Sequence, residues 1–249
     1  MNEIFESFQG EGPNMGVPSV FIRLSGCNLR CVYCDTKYTW LFSEKTFDQI
    51  KDSVPIEILY KLGNKVYSKQ EETHRMEIDD LVTKVKQYQA KNIVITGGEP
   101  LLQSKDIISL VNHLGIQHYK FELETNGTIP PIKPSLLHDG IQLRYNVSPK
   151  LSNSYNNYED RIKLNVLKHF HSENSIFKFV IAKNEEIDEV KDIVKQVKIA
   201  PSRVYLMPEA ANQKELMKIG KTVSEIALKN NFNYSHRLHI EFYGDQRGV

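Results

Sequence analysis

Short apolar runs alternate with amphipathic segments along most of the chain. Six of the runs are rich in β-branched and aromatic residues and are bounded by turn residues, which is typical of buried β-strands. They span residues 17–24, 92–96, 120–125, 141–147, 176–182 and 204–207. The recurrence of these runs predicts that a β-sheet forms the centre of the fold.

Segments with apolar residues at helical spacing lie between most of the strands. Helices are predicted over residues 78–90, 101–114, 160–169, 185–197 and 214–229. Strands that alternate with helices form βαβ units and a parallel sheet, so the predicted fold class is α/β. About six such units are visible, which fits a partial barrel or an open sheet.

No linker divides the chain, and residues 1–249 are predicted to form one domain. The composition is that of a globular protein, with 40% hydrophobic and 25% charged residues. A chain of 249 residues can bury enough apolar surface to fold without disulfides or structural metals. The segment 43–75 is polar and irregular, and we predict that it is an insertion.

The residues with the most distinctive chemistry follow the ends of predicted strands. They are Cys27 and the segments 97–99, 125–127, 148–150 and 208–209. Because the carboxyl ends of parallel strands lie at the same edge of the sheet, these residues should converge. The pattern therefore predicts an active site at that edge.

Charge and hydropathy exclude several classes of partner. The net charge is +1 and no long run of Lys or Arg occurs, so nucleic-acid binding is not expected. No stretch approaches the ~20 apolar residues that span a bilayer. The first residues carry acids and no apolar core, unlike a secretory signal. We therefore expect a cytoplasmic protein without membrane partners.

All three cysteines lie in one short loop, as Cys27, Cys31 and Cys34, with the spacing C-x3-C-x2-C. Three thiolates can hold a [4Fe–4S] cluster and leave one iron without a protein ligand. A zinc site needs four ligands, or three and a water, and no histidine lies nearby to complete it. From the residues alone, the cluster is favoured, and a zinc or redox loop remains the alternative.

This loop, with an aromatic residue (Tyr33) before the third cysteine, resembles the signature of the radical S-adenosylmethionine (radical SAM) superfamily. Residues 96–100, Thr-Gly-Gly-Glu-Pro, resemble the GGEP segment of the same superfamily. The resemblance implies a partial (β/α)6 TIM-like barrel with an insertion after the cluster loop. It also implies a [4Fe–4S] cluster that reduces S-adenosylmethionine and thereby releases a 5′-deoxyadenosyl radical.

Further segments resemble the 7-carboxy-7-deazaguanine synthases, a family within that superfamily. They are residues 6–12, 21–23, 34–36, 124–127, 146–150, 206–209 and 247–249. The resemblance implies ring contraction of 6-carboxy-5,6,7,8-tetrahydropterin to 7-carboxy-7-deazaguanine, with loss of ammonia and assistance from Mg²⁺. It further implies a flavodoxin or ferredoxin as electron donor, and a homodimer.

The resemblance assigns roles to individual residues. Cys27, Cys31 and Cys34 would bind the cluster, and Thr36 would bind Mg²⁺. The expected contacts of S-adenosylmethionine are Tyr33, Cys34, Asp35, Gly98, Ser148, Pro149, Lys150, Met207, Pro208, Glu209 and Ala210. The expected contacts of the pterin are Phe8, Gln9, Gly10, Arg23, Thr96 and Val249. Residues 230–249 would form a strand and a tail beside the substrate.

Two other functions compete with this prediction. A glycyl-radical enzyme activase shares the cysteine spacing and the GGEP segment, but the segments 9–12, 148–150 and 247–249 argue against it. An iron–sulfur electron carrier normally has four protein ligands for each cluster. Trp40 is predicted to serve in packing, and residues around His239 and Glu241 form a late apolar strand whose role stays open. His113, His118, His169 and His171 are expected at the surface.

Overall fold

One eight-stranded sheet organises the computed structural model, which describes residues 1–115, 119–171 and 174–249. Its strand order is β1-β2-β3-β4-β5-β6-β7-β8, and β1 runs antiparallel to β2 while all other neighbours are parallel. The strands are β1 (Glu3–Phe8), β2 (Pro18–Leu24), β3 (Asn92–Gly97), β4 (Lys120–Thr125), β5 (Leu143–Val147), β6 (Ser175–Ile181), β7 (Val204–Pro208) and β8 (Asn233–Tyr234). Within the described ranges, β1 and β8 are not paired with each other.

Ten α-helices are described beside this sheet. They are α1 (Glu44–Ser53), α2 (Leu59–Leu62), α3 (Lys69–Glu72), α4 (Ile78–Val85), α5 (Ser104–Gly115), α6 (Tyr158–Arg161), α7 (Leu164–His169), α8 (Glu186–Val197), α9 (Gln213–Lys229) and α10 (Leu238–Tyr243). Short 3-10 turns connect several of them. In the part of the chain that is described, no helix is both long and apolar enough to cross a bilayer.

The main core lies between the sheet and the helices that pack on its outer side. Alternate strand residues such as Ile22, Ile95 and Leu123 are completely buried there, against helix residues such as Val85 and Val111. Alternation places their neighbours on the opposite side of the sheet. That opposite side, which we call the inner face, is strongly polar.

Hydrogen bonds between neighbouring strands define the inner face. The Asn92 side-chain amide donates to the Ser19 hydroxyl at 2.8 Å and to the Glu122 carboxylate at 2.7 Å. The Asn146 amide donates to the other oxygen of Glu122 at 3.0 Å. These four side chains come from β2, β3, β4 and β5, and all are buried. The sheet therefore curves around a polar interior rather than an apolar one.

The α/β class and the partial, mostly parallel barrel are confirmed, and all six predicted strands are present. β1 was not predicted, because it contains two glutamates in six residues. Within 230–249, where a strand was predicted, the structure has the two-residue strand β8. The predicted helix over 160–169 is broken into α6 and α7. His118 lies outside the described residues.

Two predictions of local structure are wrong. The late apolar strand around His239 is the helix α10. The segment 43–75 is not irregular but contains α1, α2 and α3. This segment forms a small core of its own, in which Ile50, Val54 and Leu62 pack with Trp40 and Leu41. Trp40 and Leu41 lie outside residues 43–75, so the polar composition of the segment alone did not predict this core.

Candidate active site

The cysteine loop follows the end of β2 and is joined to the glycine segment that follows β3. The amide of Gly98 donates to the carbonyl of Leu24 at 3.1 Å, and the amide of Glu99 donates to that of Gly26 at 2.8 Å. A Cβ on Gly98 would lie 2.1 Å from the Gly26 carbonyl oxygen. Gly97 has a φ of +135°, which side chains disfavour. Both glycines are therefore required for the close approach of the two loops.

The three cysteines are free thiols, of which Cys31 is buried and Cys27 and Cys34 are partly exposed. Burial raises the pKa of Cys27 to about 11 and that of Cys31 to about 12. The nearby Cys34 contributes to both increases. Across the described residues, no group of three or more His, Cys, Asp or Glu side chains is arranged to hold a single metal ion.

The edge of the sheet beyond the cysteines is built around Glu99. Its buried carboxylate accepts hydrogen bonds from the Thr125 hydroxyl at 2.8 Å and from the amides of Asn126 at 2.7 Å and Leu101 at 3.0 Å. Burial raises the pKa of Glu99, and these donors oppose the rise. Asn126 in turn donates to Asn28 of the cysteine loop at 3.0 Å. The ends of β2, β3 and β4 are thus joined into one wall.

A line of charges crosses the inner face below this wall. The Lys178 ammonium contacts Glu11 at 2.5 Å and Glu124 at 3.0 Å. Glu11 also accepts from Arg237 at 3.2 Å, and Arg237 donates to Asp35 of the cysteine loop at 2.5 Å. These contacts connect the centre of the barrel, the segment before α10 and the cysteine loop.

Burial and charge act in opposite directions on this line. Burial by itself would raise the pKa of Glu11, but Lys178 and Arg237 hold it well below its usual value. Burial would likewise lower the pKa of Lys178, but Glu11 and Glu124 raise it above its usual range. Lys178, Glu11 and Glu124 thus form a polar and mostly buried surface on the inner face.

Comparison with known proteins identifies the family. A model described as the radical SAM superfamily matches residues 21–165. A 7-carboxy-7-deazaguanine synthase of Hyperthermus butylicus is 34% identical over 252 residues, which cover 96% of this chain and 90% of that protein. The chain belongs to the 7-carboxy-7-deazaguanine synthase family of the radical SAM superfamily.

Other members of this synthase family match over the same extent. One from Rhodopirellula baltica is 32% identical and covers 100% of this chain and 88% of its own length. The crystal structure of QueE from Escherichia coli has a TM-score of 0.67 and 27% identity, and the match covers 96% of this chain and 93% of that one. Membership of the radical SAM superfamily implies a [4Fe–4S] cluster and S-adenosylmethionine, and the activase alternative is not favoured.

The residues that the synthase family predicts for the pterin lie in two groups. Gln9 is buried, and its amide nitrogen lies 3.4 Å from both Glu122 and Glu124 on the inner face. Gly10 is packed against His239, whose ring a Cβ on Gly10 would strike at 2.2 Å. Phe8 is 45% exposed, and alternation along β1 places it away from the inner face. The structure therefore brings Gln9 and Gly10 to the interior but not the Phe8 side chain.

Arg23 and the C-terminal tail meet at Glu3. The Arg23 Nε donates to Glu3 at 2.7 Å, and Arg247 donates to the other oxygen of Glu3 at 3.1 Å. Arg247 also stacks on Tyr38, with its guanidinium carbon 3.8 Å from the ring centroid. Val249 follows directly at the end of this tail. Thr96 faces Arg23 across the β2–β3 ladder.

The residues predicted for the cofactor surround the cysteine loop. Lys150 donates to Ser148 at 3.0 Å, and its charge reaches Cys31 and Glu99. The Thr36 hydroxyl lies 3.6 Å from the Cys34 sulfur. Met207, Pro208 and Ala210 are buried at the end of β7, and Pro149 follows the end of β5. Glu209 forms a short ion pair with Lys61 from the segment 43–75.

Sequence reasoning assigned no site role to several residues of the inner face. They are Glu11, Glu122, Glu124, Asn146, Lys178, Arg237 and His239. A signal was present in β4, where two glutamates alternate with apolar residues inside a buried strand. Lys178 occupies a similar position inside β6, which is otherwise apolar except for Ser175. Glu241 pairs with His236 at 2.8 Å.

Proposed function

We propose that this chain converts 6-carboxy-5,6,7,8-tetrahydropterin to 7-carboxy-7-deazaguanine by radical ring contraction with loss of ammonia, in 7-deazapurine biosynthesis. One observation carries the proposal. A buried polar inner face lies directly below a three-cysteine loop, in a chain that matches the 7-carboxy-7-deazaguanine synthases over nearly its full length. The loop suits a radical-generating cofactor, and the inner face suits a small heterocycle rich in hydrogen-bonding groups.

The donor set around the loop fits the cofactors of the superfamily. Cys27, Cys31 and Cys34 supply three thiolates, and thiolates are the ligands that iron–sulfur clusters use. The Tyr33 hydroxyl is buried without a hydrogen-bond partner in the described structure, as expected of a group that awaits a ligand. When bound, the cluster and S-adenosylmethionine supply a carbon radical that removes a hydrogen atom from the substrate.

We assign the remaining cofactor contacts to the rim. Gly98 permits close approach to the methionine part of S-adenosylmethionine because it carries no side chain. Asp35 follows Cys34 directly, Ser148, Pro149 and Lys150 follow β5, and Met207, Pro208, Glu209 and Ala210 lie at the end of β7. The Lys150 ammonium also offsets negative charge near Cys31.

The inner face offers complementary groups for the pterin. The carboxylates of Glu122 and Glu124 can accept the ring N–H groups, and Gln9 between them can donate and accept. The buried Asn146 carbonyl oxygen lacks a donor within the described residues. Phe8, Gly10 and Thr96 complete the predicted contacts. Because the Phe8 side chain is exposed, we propose that only its backbone contacts the pterin.

Arg23 is proposed to bind the substrate carboxylate. Glu3 holds its Nε and so orients the guanidinium, while its two terminal nitrogens have no hydrogen bond in the described part of the chain. A planar pair of N–H donors matches a carboxylate. The C-terminal tail, which ends in Val249, lies next to the same glutamate and is proposed to close the substrate site with the rest of residues 230–249.

We further propose features that lie beyond these contacts. Thr36 contributes a ligand to Mg²⁺, whose other ligands are waters and substrate oxygens. A flavodoxin or ferredoxin reduces the cluster. The enzyme is cytoplasmic, because its thiolates require a reducing compartment, and its relatives' family leads us to propose a homodimer. Residues 1–249 act as one domain in which 43–75 is an insertion.

An anaerobic assay tests the proposal. The reconstituted protein is incubated with 6-carboxytetrahydropterin, S-adenosylmethionine, Mg²⁺ and dithionite, and the products are measured by mass spectrometry. We expect a deazaguanine product that carries the substrate carboxylate. Release of 5′-deoxyadenosine without this product, or radical formation on a partner protein, would contradict the assigned substrate. The same assay without pterin serves as the control.

A further inference from the structure

Each of the three cysteine sulfurs accepts one N–H hydrogen bond. The donors are a backbone amide, a side-chain amide and an indole, and they come from three different segments of the chain. The pairs are Leu29 N to Cys27 Sγ, Asn156 Nδ2 to Cys31 Sγ and Trp40 Nε1 to Cys34 Sγ, each at 3.4 Å. Three sulfurs therefore have three separate donors.

The indole of Trp40 lies in a buried apolar cluster and beside a guanidinium group. Its side chain is 94% buried, packed with Leu41, Ile50 and Val54, and the Arg30 guanidinium carbon lies 5.3 Å from the ring centroid. An indole N–H can only donate, and a buried one needs an acceptor. In the described structure, that acceptor is the Cys34 sulfur. Trp40 thus does more than the packing that its sequence position predicted.

The amide of Asn156 is oriented by a second contact. Its oxygen accepts the backbone N–H of Arg30 at 2.7 Å, so its nitrogen must face the other way, towards Cys31. The same nitrogen lies 3.3 Å from the Ser154 carbonyl. Asn156 follows β5, far from the cysteine loop in sequence, and its side chain bridges the two segments.

We infer that Trp40 and Asn156 are positioning residues that set the reduction potential of the cluster through these hydrogen bonds. The inference rests on the proposed ligation by the three cysteines. Reduction adds negative charge to the cluster and its thiolates, and N–H donors stabilise that charge. Removal of a donor therefore disfavours reduction and lowers the midpoint potential. Both residues act through Cys34 and Cys31 and need no contact with substrate.

The experiment compares midpoint potentials in the full-length reconstituted protein. Trp40→Phe keeps a buried ring and removes the N–H, and Asn156→Asp keeps the oxygen that binds Arg30 while it removes the donor. Ile50→Val is the matched control, because it loosens the same small core without removing a donor to sulfur. Iron content is measured for each protein, and the potential is read from the reduced-cluster signal in an anaerobic EPR redox titration.

We expect Trp40→Phe to lower the equilibrium constant for reduction about tenfold, which is ~59 mV for a one-electron couple. Asn156→Asp should shift the potential in the same direction and further, because it adds a negative charge. Ile50→Val should leave the potential unchanged. Unchanged potentials in a variant with full iron would overturn the inference, as would loss of iron from both variants while the control retains it. Failure of the unmodified protein to assemble a cluster would instead contradict the proposed function.

Discussion

At the residue scale, the site contains positions at which a changed side chain would alter the geometry. Gly98 has no room for a side chain beside the Gly26 carbonyl. Arg23 is oriented by one glutamate and can present its remaining nitrogens to an anion. Gly98 is assigned to the S-adenosylmethionine site and Arg23 to the pterin carboxylate. Single substitutions at the two positions should therefore change different measurements.

Gly98→Ala should destabilise the protein and reduce cluster incorporation. Its new Cβ would meet the Gly26 oxygen at 2.1 Å, so the cysteine loop must move. Overpacking of this kind costs about 1–3 kcal/mol. Thermal unfolding and iron analysis measure the two effects. Gly140→Ala is the control for iron content: its φ of +84° makes an alanine strained, so this variant should also be less stable, but a Cβ there meets nothing within 4 Å and should not affect iron. Equal iron content in both variants would contradict the prediction.

Arg23→Ala should raise the KM for the pterin at least ~30-fold and leave the iron content unchanged. The loss of one partner of a buried charge pair costs about 2 kcal/mol or more. Arg23→Lys should not restore affinity, because an ammonium cannot form the planar pair of hydrogen bonds. Arg75→Ala, at a fully solvated position, serves as the control in steady-state assays. An unaltered KM in Arg23→Ala would rule out the assigned role.

At the element scale, the segment 43–75 contacts the proposed S-adenosylmethionine site. It contains α1, α2 and α3, packs under Trp40, and sends Lys61 to Glu209 at the end of β7. Both partners of that ion pair are mostly buried. The segment therefore positions a residue that we assign to S-adenosylmethionine.

Lys61→Met should weaken S-adenosylmethionine binding several-fold without loss of iron. Glu209 would lose the cation that holds its carboxylate, and truncating one partner of a mostly buried pair is costly. Isothermal titration of the reconstituted protein measures the affinity. Lys65→Met removes an exposed cation from the same segment and should have no effect. Equal affinities in the two variants would show that the ion pair does not support the cofactor site.

At the scale of the whole molecule, the inner face concentrates buried charge at the centre of the barrel. Lys178 is the cation that Glu11 and Glu124 share. The folded-state pKa of Glu11 lies below its usual value of 4.5, so its contribution to stability is present above pH 4.5 and is lost as the pH falls below it. This arrangement joins the loop after β1 to β4 and β6 through their side chains.

Lys178→Met should destabilise the fold by about 3–5 kcal/mol at neutral pH, because Glu124 loses its cation and Glu11 keeps only Arg237. The pKa of Glu124, which burial already raises, would then rise further above that of the unfolded chain. The penalty should therefore be larger at pH 8 than at pH 5, the reverse of the acid sensitivity of the parent protein. Urea unfolding at both pH values measures it. Lys183→Met, which is exposed on the same chain segment, is the control; a penalty independent of pH would contradict this account.

Some of this structure follows from local pattern. The six central strands could be predicted because buried β-branched runs between turns leave few other conformations. The three-cysteine spacing predicts a cluster because thiolate number and spacing are local properties of one loop. The regular helices α5, α8 and α9 follow from the same kind of periodicity.

Other features depend on contacts between distant segments. The sequence by itself determined the α/β class, the cysteine loop and the family to which the chain belongs, because these rest on periodicity and on motifs of consecutive residues. Only the tertiary structure decided that Lys178 meets Glu11, that Arg237 reaches Asp35 and that Trp40 and Asn156 donate to the cysteine sulfurs. In the Lys178–Glu11, Arg237–Asp35 and Asn156–Cys31 pairs, the two partners are more than a hundred residues apart in sequence. Such pairing depends on how the strands curve and on which side chains point to the inner face. Even within the cysteine loop, the surrounding packing directs the indole of Trp40 towards Cys34, which a sequence pattern does not specify.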